Sequence, residues 1–191
     1  MESAAALEID PKKTALVLID LQQGIVSRQL APHAAADVIQ RCATLANALR
    51  EKGGTVIYVH VLINETLRLP ADAPNPLPAT PLPATMSELV PEAGRQPGDP
   101  LIAKRQWGAF YGTNLEQVLR RNGIGTIIIG GVATNMGVES TARGAFDRGY
   151  QLIFAEDAMS TLSAELHEFP LKHIFPRMGR VRSTEQILAA L

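Results

Sequence analysis

The stretch that most constrains the fold is Thr126–Tyr150, which reads TIIIGGVATNMGVESTARGAFDRGY. It opens with four apolar or β-branched residues, which is typical of a strand covered on both faces. Gly130 and Gly131 follow, and we expect the chain to turn there because glycine adopts backbone angles that other residues avoid. Residues at helical spacing then predict a helix that begins near Gly137 and ends at Gly149. A strand leading through a turn into a helix points backbone N–H groups at one place, so Gly137 faces a predicted site.

Other apolar runs alternate with helical patterns along the rest of the chain. The length of 191 residues and a hydrophobic content of 46% suit a single domain over residues 1–191. Alternating strands and helices predict an α/β fold: a doubly wound, three-layer α/β/α arrangement around a six-stranded, mainly parallel sheet. The further predicted strands are 14–20, 55–61, 101–103, 151–155 and 179–182. The further predicted helices are 33–52, 113–121 (opened by a Thr113–Glu116 capping box), 163–175 and a last one capped by Ser183 and Gln186.

An irregular excursion over residues 62–100 interrupts this pattern and holds nine of the 13 prolines. Proline removes a backbone donor and fixes φ, so neither helix nor strand is expected through most of it. A long excursion of this kind is usually a lid, a binding loop or a contact with another subunit. Arg68, near its start, is a candidate to bind a substrate carboxylate, and a solvent-facing arginine is the alternative.

The net charge, the apolar runs and the cysteine and histidine positions indicate which partners, compartment and cofactors are expected. A formal net charge of −1 argues against nucleic acid and anionic membranes as partners. No apolar run approaches the roughly 20 residues that span a bilayer, and the N-terminus has no signal-peptide pattern. Cys42 is the single cysteine and lies in the apolar stripe of a predicted helix, which indicates a core residue in a cytoplasmic protein. The four histidines stand apart in the sequence, so we predict no metal site and no cofactor.

Two charged residues end predicted strands. Asp20 closes the run TALVLID, and Lys104 closes LIAK, just before Trp107 and Phe110. Ligands of open α/β sheets bind outside the carboxyl ends of the strands, so we expect Asp20, Lys104 and the 130–137 turn to meet. The aromatic residues predict a substrate pocket with Lys104 at its mouth. The plainer alternatives are a turn residue for Asp20 and a surface lysine for Lys104.

Three blocks of sequence together resemble the isochorismatase-like cysteine hydrolase superfamily. They are ALVLIDLQQG, IAKRQWGAFYGTNLEQVLRRNGI and GGVATNMGVESTARGAFDRGYQLIFAEDA. Their order and spacing match over nearly the full length, apart from the prolines of the 62–100 excursion. The resemblance implies the fold predicted above, a small-molecule substrate, a homo-oligomer, and a non-proline cis peptide near Val132-Ala133.

The catalytic set of that superfamily is an aspartate, a lysine and a cysteine. Asp20 and Lys104 match the first two, and Gly137 stands at the position of the cysteine. Glycine has no side chain, so covalent acyl catalysis from this position is excluded. Ala133 and Asn135, beside it in the turn, are candidate substrate contacts. Thr134 is the nearest hydroxyl, and we see no histidine in the sequence placed to activate it.

Isochorismatases within the superfamily also carry glycine there. In them the aspartate is a general acid that protonates a vinyl ether, and water captures the resulting cation. The resemblance therefore implies a hydrolase without a covalent nucleophile, in which Asp20 is the general acid or base. The alternative is a catalytically degenerate binding or assembly protein of the same fold. A metal-dependent amidase is disfavoured, because VHVLINE supplies only His60 where paired ligands are needed.

Overall fold

Six parallel strands form one sheet in the computed structural model, which describes residues 7–67, 69–73 and 80–191. Their spatial order is β3-β2-β1-β4-β5-β6, and every neighbouring pair is parallel. The chain winds outwards first on one side of β1 and then on the other, so the order reverses between β1 and β4. The predicted doubly wound sheet is confirmed. The strands are β1 (Thr14–Ile19), β2 (Thr55–Val61), β3 (Leu101–Lys104), β4 (Thr126–Val132), β5 (Gln151–Ser160) and β6 (Arg180–Arg182).

Helices cover both faces of the sheet and make the three layers. Alternate side chains of β1 point to opposite faces, as strand geometry requires. Leu16 and Leu18 pack with the apolar stripe of α2, and Ala15 and Val17 belong to the cluster under α3 and α4. The helices are α1 (Gln23–Val26), α2 (Ala35–Glu51), α3 (Leu115–Arg121), α4 (Glu139–Asp147), α5 (Ala164–Phe169) and α6 (Thr184–Ala190). None of them, within the described ranges, is long and apolar enough to cross a membrane.

The predicted turn at Gly130 and Gly131 is wrong, because both residues belong to β4. Gly131 has φ 110° and pairs with Ile19 of β1, and a Cβ there would collide with the backbone of that strand. The glycine is needed for this close approach. The chain turns one residue later, at the Val132-Ala133 peptide, which is cis as the resemblance implied.

Two element boundaries beyond this turn also differ from the prediction. A π-helical turn over Thr134–Val138 precedes α4, so Gly137 lies inside that turn and the α-helix begins at Glu139. β5 continues to Ser160, five residues past its predicted end, and after a register shift it pairs again with Gly131 and Val132 of β4.

Of the two predicted capping boxes, one is confirmed. Ser183 and Gln186 cap α6 reciprocally. The other is wrong: α3 starts one residue after Asn114, and the Thr113 hydroxyl accepts from the N–H of Leu115 at 3.1 Å instead of forming the box.

The described part of the 62–100 excursion packs on this chain's own sheet. Gln22 is fully buried and donates through Nε2 to the carbonyl oxygens of Val61 and Met86, both at 3.0 Å. On the other side, Arg50 binds Asp99 at 2.6 Å. Only short 3₁₀ turns occur here, over Ile63–Glu65, Ala84–Ser87 and Pro91–Ala93.

Candidate active site

The carboxyl ends of β1, β3 and β4 bring three predicted residues together. Asp20 follows β1, Lys104 ends β3, and Gly137 lies in the π-helical turn after β4. Lys104 Nζ lies 2.7 Å from Asp20 Oδ2. A Cβ built on Gly137 would lie 3.2 Å from Asp20 Oδ2 and 3.6 Å from Lys104 Nζ. A side chain at position 137 would therefore point at the ion pair.

Asp20 is held rigidly and buried. Its backbone has φ 51°, a left-handed conformation that aspartate adopts more readily than most residues, and its N–H donates to Val59 O at 2.9 Å. The residue is 5% exposed, and Oδ1 has no hydrogen-bond partner among the described residues. Burial raises the pKa of the Asp20 carboxyl, and the charge of Lys104 acts in the opposite direction.

Lys104 is also buried, at 2% exposure, so it lies at the floor of the site and not at its mouth as predicted. Besides Asp20, its ammonium group donates to Gln106 O at 3.3 Å. The plainer alternative, a surface lysine, is excluded by this burial.

A cavity of about 360 Å³ opens above Asp20 and Lys104. Most of its wall is aliphatic, and the charged residues among its described lining are Asp20, Lys104, Arg28 and Arg105. Its apolar lining consists of Ile25, Leu30, Val61, Ile63, Leu67, Leu69, Leu82, Trp107, Val132, Ala133, Met136 and Leu162. The volume is in the range of small-molecule sites.

A family model for the isochorismatase domain matches residues 14–186. The chain belongs to the isochorismatase family. It is 49% identical over 189 residues to YecD, an uncharacterized isochorismatase family protein of Escherichia coli O157:H7, covering 97% of this chain and 100% of that protein. It is 48% identical over 185 residues to YwoC, an uncharacterized isochorismatase family protein of Bacillus subtilis (strain 168), covering 95% and 96%. An isochorismatase family protein of Burkholderia thailandensis superposes with a TM-score of 0.91 at 40% identity, covering 98% of this chain and 99% of that one.

The predicted substrate contacts of this isochorismatase family member divide between the cavity and the core. Trp107 and Ala133 line the cavity. Phe110 instead stacks on Tyr150 with ring centroids 6.1 Å apart and is not among the residues that line the cavity. Asn135 accepts a hydrogen bond from Thr161 Oγ1 at 2.7 Å, which directs its carbonyl towards β5. Arg68 lies outside the described residues.

The expectation that no histidine stands near Thr134 is wrong. Thr134 Oγ1 and His167 Nδ1 lie 2.8 Å apart, and the His33 ring meets the His167 ring edge-on at 5.5 Å. Burial, with His33 nearby, lowers the pKa of His167 to about 4. No local sequence signal joins these residues, because 33 positions separate the threonine from its partner.

Arg28 and Met136 are cavity residues that the sequence analysis missed. Met136 directly precedes Gly137, so its place beside the predicted nucleophile position was a usable signal. Arg28 follows the short helix α1, and nothing in its sequence context distinguishes it from a surface arginine.

Cys42 is a core residue, as predicted. It is fully buried, its thiol donates to Ala158 O at 3.3 Å, and burial raises its pKa to about 12. Within the described ranges, no three His, Cys, Asp or Glu side chains converge as metal ligands do.

Proposed function

We propose that this isochorismatase family member hydrolyses a small molecule without a covalent nucleophile, with Asp20 as the general acid and base. The observation that carries the proposal is the Asp20 carboxyl, whose Oδ1 is buried and unpartnered among the described residues, at the floor of the cavity. An unsatisfied buried carboxylate oxygen is costly, and it is retained where it has a chemical task.

Only one of the charged residues described in the cavity is suited to transfer a proton. Arginine stays protonated at ordinary pH, and the ammonium group of Lys104 is held by its ion pair with Asp20. Among the described cavity residues, Asp20 is therefore the group suited to exchange a proton. Its carboxylate accepts a proton from the water that adds to the substrate carbon, and the resulting carboxyl gives that proton to the leaving atom. The new C–O bond forms as the bond to the leaving group breaks, and Asp20 returns to its starting state.

Lys104 and Gly137 set the conditions for this exchange. Lys104 binds Oδ2, which is also the carboxyl oxygen closest to the Gly137 position, and burial raises the pKa of the Asp20 carboxyl above its ordinary value. Gly137 leaves space beside the carboxyl, where a side chain would otherwise contact both charged groups.

Turnover of a panel of isochorismate and small amides tests the proposal. Asp20→Asn retains the size of the side chain but transfers no proton, so it is expected to abolish any turnover that the natural protein shows. Asp147→Asn is the matched control, because Asp147 is exposed on α4 and lies outside the cavity lining. Full turnover in Asp20→Asn would refute the mechanism.

A catalytically degenerate binding or assembly protein is the second candidate, and the empty position at Gly137 favours it. Gly137→Cys separates the two candidates, since the new Cβ would point at Asp20 and Lys104, with Ile19 Cγ2 at 3.0 Å required to give way slightly. The nearby ammonium group would lower the thiol pKa. Amide turnover that appears only in Gly137→Cys favours the degenerate site, and turnover by the natural protein favours the hydrolase. Homo-oligomerisation stays a prediction, which light scattering on the purified protein tests.

A further inference from the structure

The wall of the cavity selects against polar substrates. Twelve of its lining residues are apolar, and they run from Val132 and Met136 near the floor to Leu67 and Leu69 at the opening. A substrate that carries hydroxyl or carboxylate groups along its whole body would lose their hydration against these side chains without compensating hydrogen bonds. Binding of an aliphatic or aromatic body is instead favoured in proportion to the apolar area that it buries.

The charges of the cavity do not cancel. Asp20 is neutralised by Lys104 at 2.7 Å, and Arg105 by Glu65 at 2.6 Å. Arg28 also lines the cavity, and among the described residues its guanidinium has neither an ion pair nor a hydrogen bond. Among the described residues of the cavity, one positive charge is therefore left for a ligand.

The uncompensated charge lies at the mouth of the cavity. Arg28 is exposed, whereas Asp20 and Lys104 are buried at the floor. Trp107, at 61% exposure, is also at the mouth. A ligand with its reacting bond at Asp20 consequently meets apolar walls along its body and a cation at its outer end.

We propose that the cavity takes a substrate with a single negative charge on an apolar body, with the anionic group beside Arg28 at the mouth and the uncharged reacting bond at Asp20. This inference rests on the proposed function for the place of the reacting bond, but the preference for a monoanion stands on the cavity alone. A dianion is disfavoured, because its second charge would have to be desolvated against the aliphatic wall.

Binding can be measured without turnover, because Trp107 is the chain's single tryptophan and lies at the mouth. Its fluorescence is titrated with phenylacetate, phenylacetamide and 4-carboxyphenylacetate, which share a phenyl body and carry one, no and two negative charges, the second charge of the last lying at the opposite end of the ring, and calorimetry checks each affinity. Phenylacetate is expected to bind roughly two- to fivefold more tightly than either of the others, since an ion pair with an exposed arginine contributes a factor of about this size.

Arginine variants locate the charge that recognises the anion. Arg28→Gln is expected to lower phenylacetate affinity to that of phenylacetamide, and Arg28→Lys to retain part of it. Arg121→Gln is the matched control, because Arg121 is an exposed arginine on α3, outside the cavity lining, and it should leave the affinity unchanged. Phenylacetate binding is also measured in Asp20→Asn, where it should persist, so that loss of turnover in that variant bears on the proposed function alone.

Three results would overturn the inference. Equal affinities for the three compounds, including no binding of any, would remove the preference for a monoanion. An unchanged preference in Arg28→Gln would remove the recognition at the mouth. Tighter phenylacetate binding in Asp20→Asn together with no effect of Arg28→Gln would place the carboxylate at the floor, next to Lys104.

Discussion

Acid should destabilise this protein through His167. The residue is 4% exposed on α5, and its Nδ1 lies 2.8 Å from the hydroxyl of Thr134, the first residue of the π-helical turn that holds Gly137. Burial is the main cause that lowers the His167 pKa from an ordinary 6.5 to about 4, and the neighbouring His33 ring adds to it. Protonation of His167 would therefore place a positive charge among buried side chains.

The magnitude follows from the two pKa values. Between about pH 6.5 and pH 4 the unfolded chain binds a proton at this site and the folded protein does not, so stability is complete above that window and falls as the pH drops through it. At about 1.4 kcal/mol for each pKa unit, the full difference is about 3 kcal/mol, and most of it is lost by about pH 4.5.

Urea unfolding at about pH 7.5 and about pH 4.5 measures this loss. Other groups also contribute to the pH dependence, so the informative quantity is the difference between the natural protein and His167→Asn, which retains a hydrogen-bonding group near Thr134. The natural protein should lose about 2 to 3 kcal/mol more than the variant between the two pH values. His173→Asn is the control, because His173 is exposed and its removal should leave the pH dependence unchanged. Equal losses in the natural protein and His167→Asn would refute the reasoning.

Three further predictions concern the core around the site. Lys104→Met leaves Asp20 buried without its cation, and we expect the free energy of unfolding in urea to fall by about 3 to 5 kcal/mol at neutral pH. The loss should be smaller in acid, because protonation of Asp20 removes the buried charge, and an equal loss at both pH values would contradict this. Gly131→Ala places a Cβ against the backbone of β1 and should lower the melting temperature far more than the control Gly149→Ala. Gly149 also has a positive φ, but the space around it is open. Similar losses in the two variants would show that the close approach of β4 to β1 is unimportant. The Cys42 thiol should resist iodoacetamide in the folded protein and react in urea, as mass spectrometry would show, and rapid labelling of the folded protein would contradict its burial.

Much of the fold could be predicted from the sequence because its signals are local. A continuous apolar run such as that of β1 is covered on both faces wherever it lies, and the spacing of apolar residues in α2 defines one buried stripe. The boundaries near the site were less predictable. Gly130 and Gly131 have the composition of a turn, but pairing with β1 keeps them in β4, and that pairing is a contact over more than a hundred residues of sequence.

The candidate site likewise combines features that the sequence predicts with features that it does not. The sequence by itself determined that Asp20 and Lys104 end parallel strands and that Gly137 follows a third, and the topology of an open α/β sheet then requires all three at one edge. Tertiary structure alone decided the surroundings: it buries Lys104 at the floor, places His167 against Thr134, and leaves Arg28 at the mouth without a partner among the described residues. The physical reason is that strand ends follow from chain order and period, whereas burial, pKa and the balance of charge depend on side chains that meet only after the helices have packed.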